Sequence, residues 1–184
     1  LRKRILLLII VLFLLFLVFE GFLRVSHPQI TTSVAMRSSP SVFRESFYLP
    51  WQLLPNVSDY QTSPYGEYHV NIRVNSYGLR DDERFLAPKE KKRILFVGDS
   101  FTFGHGVEER DRYTEVLERE LQAQGFDYEV FNAGYASGYS PDTYSLYVQR
   151  EGLSLSPDVV IVGFYVGNDV LDLCRLCKFK FFLA

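Results

Sequence analysis

Apolar residues are spaced differently in successive stretches of this chain, and each spacing predicts an element. After Arg2-Lys3-Arg4 an uninterrupted apolar run extends from Ile5 to Phe19, resumes past Glu20 as Gly21-Phe22-Leu23, and stops at Arg24. A run with no polar face has nothing to turn toward water, so it predicts a membrane-inserted helix rather than a helix of a soluble core. Carried to Leu23, it approaches the roughly 20 residues that span hydrocarbon. The basic cluster in front and the single arginine behind predict a cytoplasmic N-terminus, with the remainder outside the cytoplasm. A cleaved signal peptide would present the same run, but no small-x-small site follows it and no cysteine is there for lipid attachment. The expectation is an uncleaved signal anchor over 1–24.

From Val25 to about Tyr65 the chain is rich in Ser, Thr and Pro with aromatic islands at Phe43, Phe47, Tyr48 and Trp51, which predicts a juxtamembrane linker over 25–66 that becomes partly ordered. Tyr68 to Asn75 then alternates with period two, as a strand does, and Ser76-Tyr77-Gly78 closes it as a turn. A charged stretch from Asp81 to Lys92, with Pro88 inside it, completes a small β-containing lid or extension over 67–92.

Beyond residue 93 the pattern becomes strand, helix, strand, helix, strand. Arg93 to Val97 is a short apolar run ending in Gly98; Asp111 to Gln124 carries helical spacing at Tyr113, Val116, Leu117 and Leu121 and ends at Gly125; Tyr128 to Phe131 is a second strand. Pro141 to Glu151 predicts a second helix with Ser140 as its N-cap, and Val159 to Tyr165 a third, continuously apolar strand. Such alternation predicts an α/β fold whose parallel sheet is covered by helices on both faces.

Composition narrows the function. With 184 residues, 47% hydrophobic and 23% charged, the chain has room for one globular domain plus appendages and is not disordered throughout. A net charge of −2, with its cations scattered, offers no stripe to neutralise phosphates, so nucleic acid is not an expected partner. Cys174 and Cys177 stand alone near the C-terminal end, too few for a disulfide framework or a zinc site and placed unlike a redox C-x-x-C, which opens a helix after a strand.

In open parallel sheets functional groups gather at the carboxyl ends of the strands. Here those ends are Gly98 to Gly106, Asn132 to Gly138, and Gly167-Asn168-Asp169. The first has neither G-x-x-x-x-G-K-[ST] nor G-x-G-x-x-G, and no lysine, which demotes a phosphate loop. The other reading is Ser100 as a nucleophile on a strand-to-helix turn, where its hydroxyl is exposed and backbone N–H groups are free to hold an oxyanion. Taken singly, Ser100 reads equally well as a helix cap and Asn168 as a turn residue; their joint placement at successive strand ends is the informative fact.

Gly98-Asp99-Ser100 followed by Phe-Thr-Phe-Gly, with Gly167-Asn168-Asp169 ending a later strand, resembles the first and third sequence blocks of the SGNH (GDSL-type) hydrolases. The likeness covers about residues 70 to 172, and Asn75 to Arg80 resembles the extension of membrane-anchored members. It implies a flavodoxin-like three-layer parallel sheet, Ser100 as nucleophile, the N–H of Gly138 (less well Gly134) and the side-chain amide of Asn168 as oxyanion donors, and Gly98, Asp99 and Gly167 in support. The SGNH domain would occupy 93–184. No metal or organic cofactor is implied.

One departure matters as much. The family completes its site with an Asp-x-x-His block, and no His follows Asn168. Of His27, His69 and His105, the last is nearest to Ser100, yet a residue five positions on reads as a turn or rim residue rather than a general base. The first residue is Leu rather than Met and the end is an apolar tail, so the expectation is an N-terminal portion of the domain, incomplete at the C-terminus and inactive or nearly so. The implied activity is acyl-ester hydrolysis or O-acyl transfer on acylated glycans or lipids of the envelope. The alternative is a non-catalytic, glycan-binding envelope scaffold.

Overall fold

A computed structural model describes residues 2–26, 41–63, 66–84, 86, 88–135 and 138–173. His27, both cysteines and the apolar tail lie outside the described residues. The chain divides into two compact units, Leu1–Ser38 and Ser39–Ala184.

In the first unit α1 (Arg2–Ser26) is a single helix of 25 residues, about 37 Å at 1.5 Å per residue, long and apolar enough to cross a membrane. No residue of it is buried. Glu20, the one acid in the helix, accepts from Arg24 one turn further on at 2.9 Å, so charge is balanced at the C-terminal end of the apolar run.

The second unit begins with two small antiparallel pairs. β1 (Phe43–Arg44) pairs with β2 (Gln52–Leu53), and β3 (Ser58–Thr62) pairs with β4 (His69–Arg73), Ser58 opposite Arg73 and Thr62 opposite His69. The alternation at 68–75 thus forms a strand, while its partner β3 and the β1–β2 pair were not evident from periodicity. β5 (Lys92–Gly98), α2 (Ser100–Phe103), α3 (Tyr113–Ala123), β6 (Tyr128–Gly134), α4 (Pro141–Arg150) and β7 (Val159–Gly163) follow. Pro141 opens α4, and the Ser140 N–H donates to Thr143 Oγ1 at 2.8 Å.

β5, β6 and β7 form a parallel sheet in the order β6-β5-β7. The crossover from β5 to β6 and the crossover from β6 back past β5 to β7 run in opposite directions, so right-handed connections put their helices on opposite faces, and the side chains agree. Ile94, Phe96 and Val130 pack with Leu117 and Leu121 of α3, whereas Leu95, Val97, Phe131 and Ala133 pack with Tyr144 and Tyr147 of α4. The second cluster also holds Val42, Leu49, Leu53, Val70, Ile72, Val74 and Leu79. The stretches expected as linker (25–66), extension (67–92) and hydrolase domain (93–184) therefore share one core from Val42 onward.

β7 corrects the expectation of burial on both faces. Its residues are as apolar as those of β5, but among the described residues it has one neighbouring strand, and Val159, Val160 and Val162 are exposed. Val162 is 51% exposed, while its register partner Val97 is 1% exposed. An apolar strand is covered only where a second layer lies over it.

Candidate active site

Ser100 stands at the first position of α2, directly after β5. Asp99 is the N-cap in an extended conformation, and its carboxylate accepts from the Phe101 N–H at 2.9 Å. Gly104 ends the helix with φ of 80°, its N–H donating to the Ser100 carbonyl at 3.1 Å. A helix this short cannot hold itself in place, so the reasons for its position lie in what surrounds it.

Beneath it lies a row of glycines. Gly134, Gly98 and Gly163 are register partners across the ends of the three strands. A Cβ on Gly98 would fall 2.0 Å from Thr102 Oγ1, one on Gly163 2.4 Å from the same atom, and one on Gly134 2.2 Å from the Phe103 nitrogen. Glycine is required at all three because α2 rests directly on the sheet's end. Thr102 is then held by a hydrogen bond from Tyr113 at 2.8 Å.

Asn132 holds the turn from the side. Wholly buried inside β6, it donates from Nδ2 to the Thr102 carbonyl at 2.7 Å and to Thr114 Oγ1 at 2.9 Å, and its Oδ1 accepts from the Gly134 N–H at 2.9 Å. The Gly134 N–H is therefore already engaged, which leaves Gly138 as the glycine of this strand end whose N–H could serve an oxyanion. Gly138 has φ of 96° and open space around it; Ala136 and Ser137 before it lie outside the described residues.

Arg80 holds the turn from above. Buried to zero exposure, it donates to the carbonyls of Phe103 (3.0 Å), Gly104 (2.6 Å), Val107 (2.7 Å) and Asn71 (3.0 Å), with its cation 5.0 Å from the centre of the Phe103 ring. Burial, reinforced by the Arg112 cation, lowers its pKa to about 10. Sequence reasoning did not single out Arg80 or Asn132 for this task. The sequence marks Asn132 only as the start of a polar strand end, and Arg80 only as the last residue of the Asn75–Arg80 stretch, with nothing in either to say which carbonyls it would hold.

The third strand end meets the first beside Ser100. Phe101 packs on Tyr165 with ring centres 4.2 Å apart. Asp169 closes this turn: its buried carboxylate accepts from the Tyr165 N–H at 2.9 Å and from the Tyr144 hydroxyl at 3.0 Å. Gly167 lets the Tyr165 ring fold back, since a Cβ there would sit 2.6 Å from it. Residues 169–173 are helical, and Asn168 Nδ2 donates to Asp172 Oδ2 at 3.0 Å, leaving Asn168 Oδ1 and Asp99 Oδ2 buried without a partner. Burial pushes the Asp99 carboxyl up, with the Asp169 charge acting the same way and the Phe101 N–H opposing. The phenols of Tyr113 and Tyr144 are pushed up, chiefly by burial.

The two described histidines face the β3–β4 hairpin. His105 engages Gln61 through Nδ1 and Tyr68 through Nε2, both at 2.9 Å, and His69 stacks on Tyr60 with Nδ1 against Thr62. Among the described residues no group of His, Cys, Asp and Glu is arranged to hold a metal ion. A cavity of about 910 Å³ lies elsewhere, lined by charged side chains including Arg84, Glu115, Glu118 and Arg119.

No protein family and no curated protein matches the chain by sequence. Solved structures do. It is similar to AlinE4, an SGNH-hydrolase family esterase, at 22% identity over 51% of this chain and 57% of that one, with a TM-score of 0.35. It is also similar to a lipase/acylhydrolase from Enterococcus faecalis, at 25% identity over 39% of this chain and 37% of that one, with a TM-score of 0.33. The matched stretch thus spans little more than half the length of the first and under half of the second.

Proposed function

We propose that the Ser39–Ala184 unit is the nucleophile-bearing part of a serine-dependent acyl-ester hydrolase or O-acyltransferase. Ser100 is the nucleophile, the Gly138 N–H and the Asn168 amide are the oxyanion donors, and Gly98, Asp99, Gly134 and Gly167 shape the turns that carry them. One observation supports this above the rest: Ser100 opens a helical turn seated on register-matched glycines, with the turn that leads to Asn168 packed against it through Phe101 and Tyr165. In the 2-1-3 strand order this is the crevice at the switch point between β5 and β7, where open parallel sheets carry their ligands.

In the proposed reaction Ser100 Oγ bonds to the acyl carbon as the bond to the alcohol oxygen breaks, and the serine proton leaves with that oxygen. Water, or a carbohydrate hydroxyl in the transfer variant, then takes the acyl group as the Ser100 Oγ–acyl bond breaks, and its proton returns to Ser100 Oγ. An α1 anchor with a cytoplasmic N-terminus would put the unit on the outer side, so acylated glycans or lipids of the envelope are the proposed substrates. A base for the Ser100 proton is the part that the described histidines do not supply. That observation favours a second reading, a glycan-binding scaffold without turnover.

Full-length chain in detergent, assayed with an activated acetyl ester, separates the two. The hydrolase reading expects slow turnover that Ser100→Ala removes and Asn168→Ala lowers by about 10² to 10³, the usual cost of one oxyanion donor. Turnover unchanged in Ser100→Ala overturns it, and glycan binding with no Ser100-dependent turnover supports the scaffold.

A further inference from the structure

His105 follows the nucleophile turn, and its hydrogen bonds specify which ring nitrogen carries the proton. Gln61, buried on β3, accepts the Gly106 N–H on its Oε1 at 2.8 Å. Its amide nitrogen is then the end that meets His105 Nδ1 at 2.9 Å. An NH₂ donates, so Nδ1 must be bare. The ring proton sits on Nε2, where it donates to Tyr68 Oη at 2.9 Å. The backbone joins the same arrangement: the His105 N–H donates to the Ser100 carbonyl at 3.0 Å, and the Tyr68 ring lies against Gly106, where a Cβ would approach it to 2.9 Å.

We propose that His105 is a positioning residue for Ser100: as the neutral Nε2–H tautomer it clamps residues 100–106 to the β3–β4 hairpin, and its protonation releases the clamp. The catalytic consequence rests on Ser100 being the nucleophile; the clamp itself does not. A proton on Nδ1 would face the Gln61 NH₂, donor against donor. Turning the Gln61 amide over would satisfy the ring but set its NH₂ against the Gly106 N–H. Either way a donor at the hairpin seam loses its acceptor, and both turn and strand are loosened.

The groups around the ring favour the neutral form. Tyr68 faces it from the hairpin, with Glu67 behind the phenol; Arg80 faces it from below, its own charge moderated by Glu108 and Glu109. Desolvation, with the Arg80 cation acting the same way, holds the His105 pKa below its ordinary value of 6.5. A histidine lowered on folding contributes stability that is full above its unfolded pKa and is lost as pH falls through the folded one. The clamp is therefore closed at neutral pH and opens in acid.

Ring nitrogen NMR of ¹⁵N-histidine-labelled full-length chain in detergent tests the tautomer, and hydrogen exchange at the Gly106 amide tests the clamp. At about pH 7.5 Nδ1 should be unprotonated and Nε2 protonated. Gly106 protection, corrected for intrinsic exchange, should drop about tenfold or more between about pH 7 and 5. His105→Asn, which keeps an acceptor near Nδ1 but cannot titrate, should hold that protection across the range; His105→Ala should lack it throughout. A proton on Nδ1 at neutral pH, or Gly106 protection that does not change with acid in the unsubstituted chain, overturns the proposal. Where Ser100-dependent turnover exists, its acid limb should vanish in His105→Asn through kcat with KM unmoved. If tautomer and exchange behave as stated while the turnover found is unchanged in Ser100→Ala, the clamp stands and the hydrolase reading falls.

Discussion

The turns carrying Ser100 and Asn168 end neighbouring strands of one sheet, yet they are held very differently. The Ser100 turn is gripped from several sides: glycines below, Asn132 at the side, Arg80 above, Gln61 and Tyr68 through His105. The Asn168 turn depends on Asp169 and the Phe101–Tyr165 contact, and around it Phe164, Val166, Val170 and Leu171 are exposed, as is much of β7. The difference teaches that the chain before β5 is a structural part of the Ser100 turn, supplying Arg80, Gln61 and Tyr68 to it.

The largest effect should come from breaking the stronger grip. Arg80→Met keeps length and apolar bulk but strands the carbonyls of Phe103, Gly104, Val107 and Asn71. A buried acceptor left without its donor costs about 1–3 kcal/mol, and four lose theirs together, so urea unfolding of the full chain should show the largest loss of the series.

Glu115 tests the same side by pH. It accepts from Arg112, which in turn donates to the Arg80 carbonyl. Burial, with Asp81 adding repulsion, raises its pKa from 4.5 to about 7 against the pull of Arg112 and Arg84. Because the folded value lies above the unfolded one, this group's contribution is full below about pH 4.5 and is lost as pH rises through about 7. Glu115→Gln should therefore gain stability relative to the unsubstituted chain over that interval. A difference that stays flat from pH 4.5 to 7 would contradict the raised value.

On the weaker side, Asp169→Asn should cost about 1–2 kcal/mol, since one amide can still accept from the Tyr165 N–H but no longer offers a charged partner to the Tyr144 hydroxyl. A loss as large as that of Arg80→Met would erase the contrast between the turns.

The sequence pattern revealed the elements better than their environment. Short apolar runs located β5, β6 and β7, and Asp99, expected only in support of the Ser100 turn, takes the cap position at which Ser100 had been the candidate. Strand order was not legible: Val159 to Gly163 has the same continuous apolar pattern as β5, and periodicity does not say which strand is central or which one a helix covers. The roles of Arg80, Gln61 and Asn132 were hidden for a related reason. Their partners are carbonyls and amides tens of residues away, and backbone groups leave no mark in a sequence.

The smallest effect concerns that exposed strand, and one substitution made at two register partners isolates it. Val97 and Val162 face each other across β5 and β7 on the same side of the sheet, one in the core beneath α4 and the other in the open. Val→Thr changes shape little but adds a hydroxyl, which is costly only where water is excluded. At Val97 it should cost about 1–3 kcal/mol, and at Val162 no more than about 0.5 kcal/mol, within the usual range for a surface change. Val162→Thr should also reduce self-association, because it interrupts an apolar edge with unpaired backbone groups. Unfolding midpoints of both variants, with light scattering of the second, provide the comparison. Equal losses at the two positions would mean that β7 is covered in solution, and the exposed edge would then be an interface rather than a boundary of the fold.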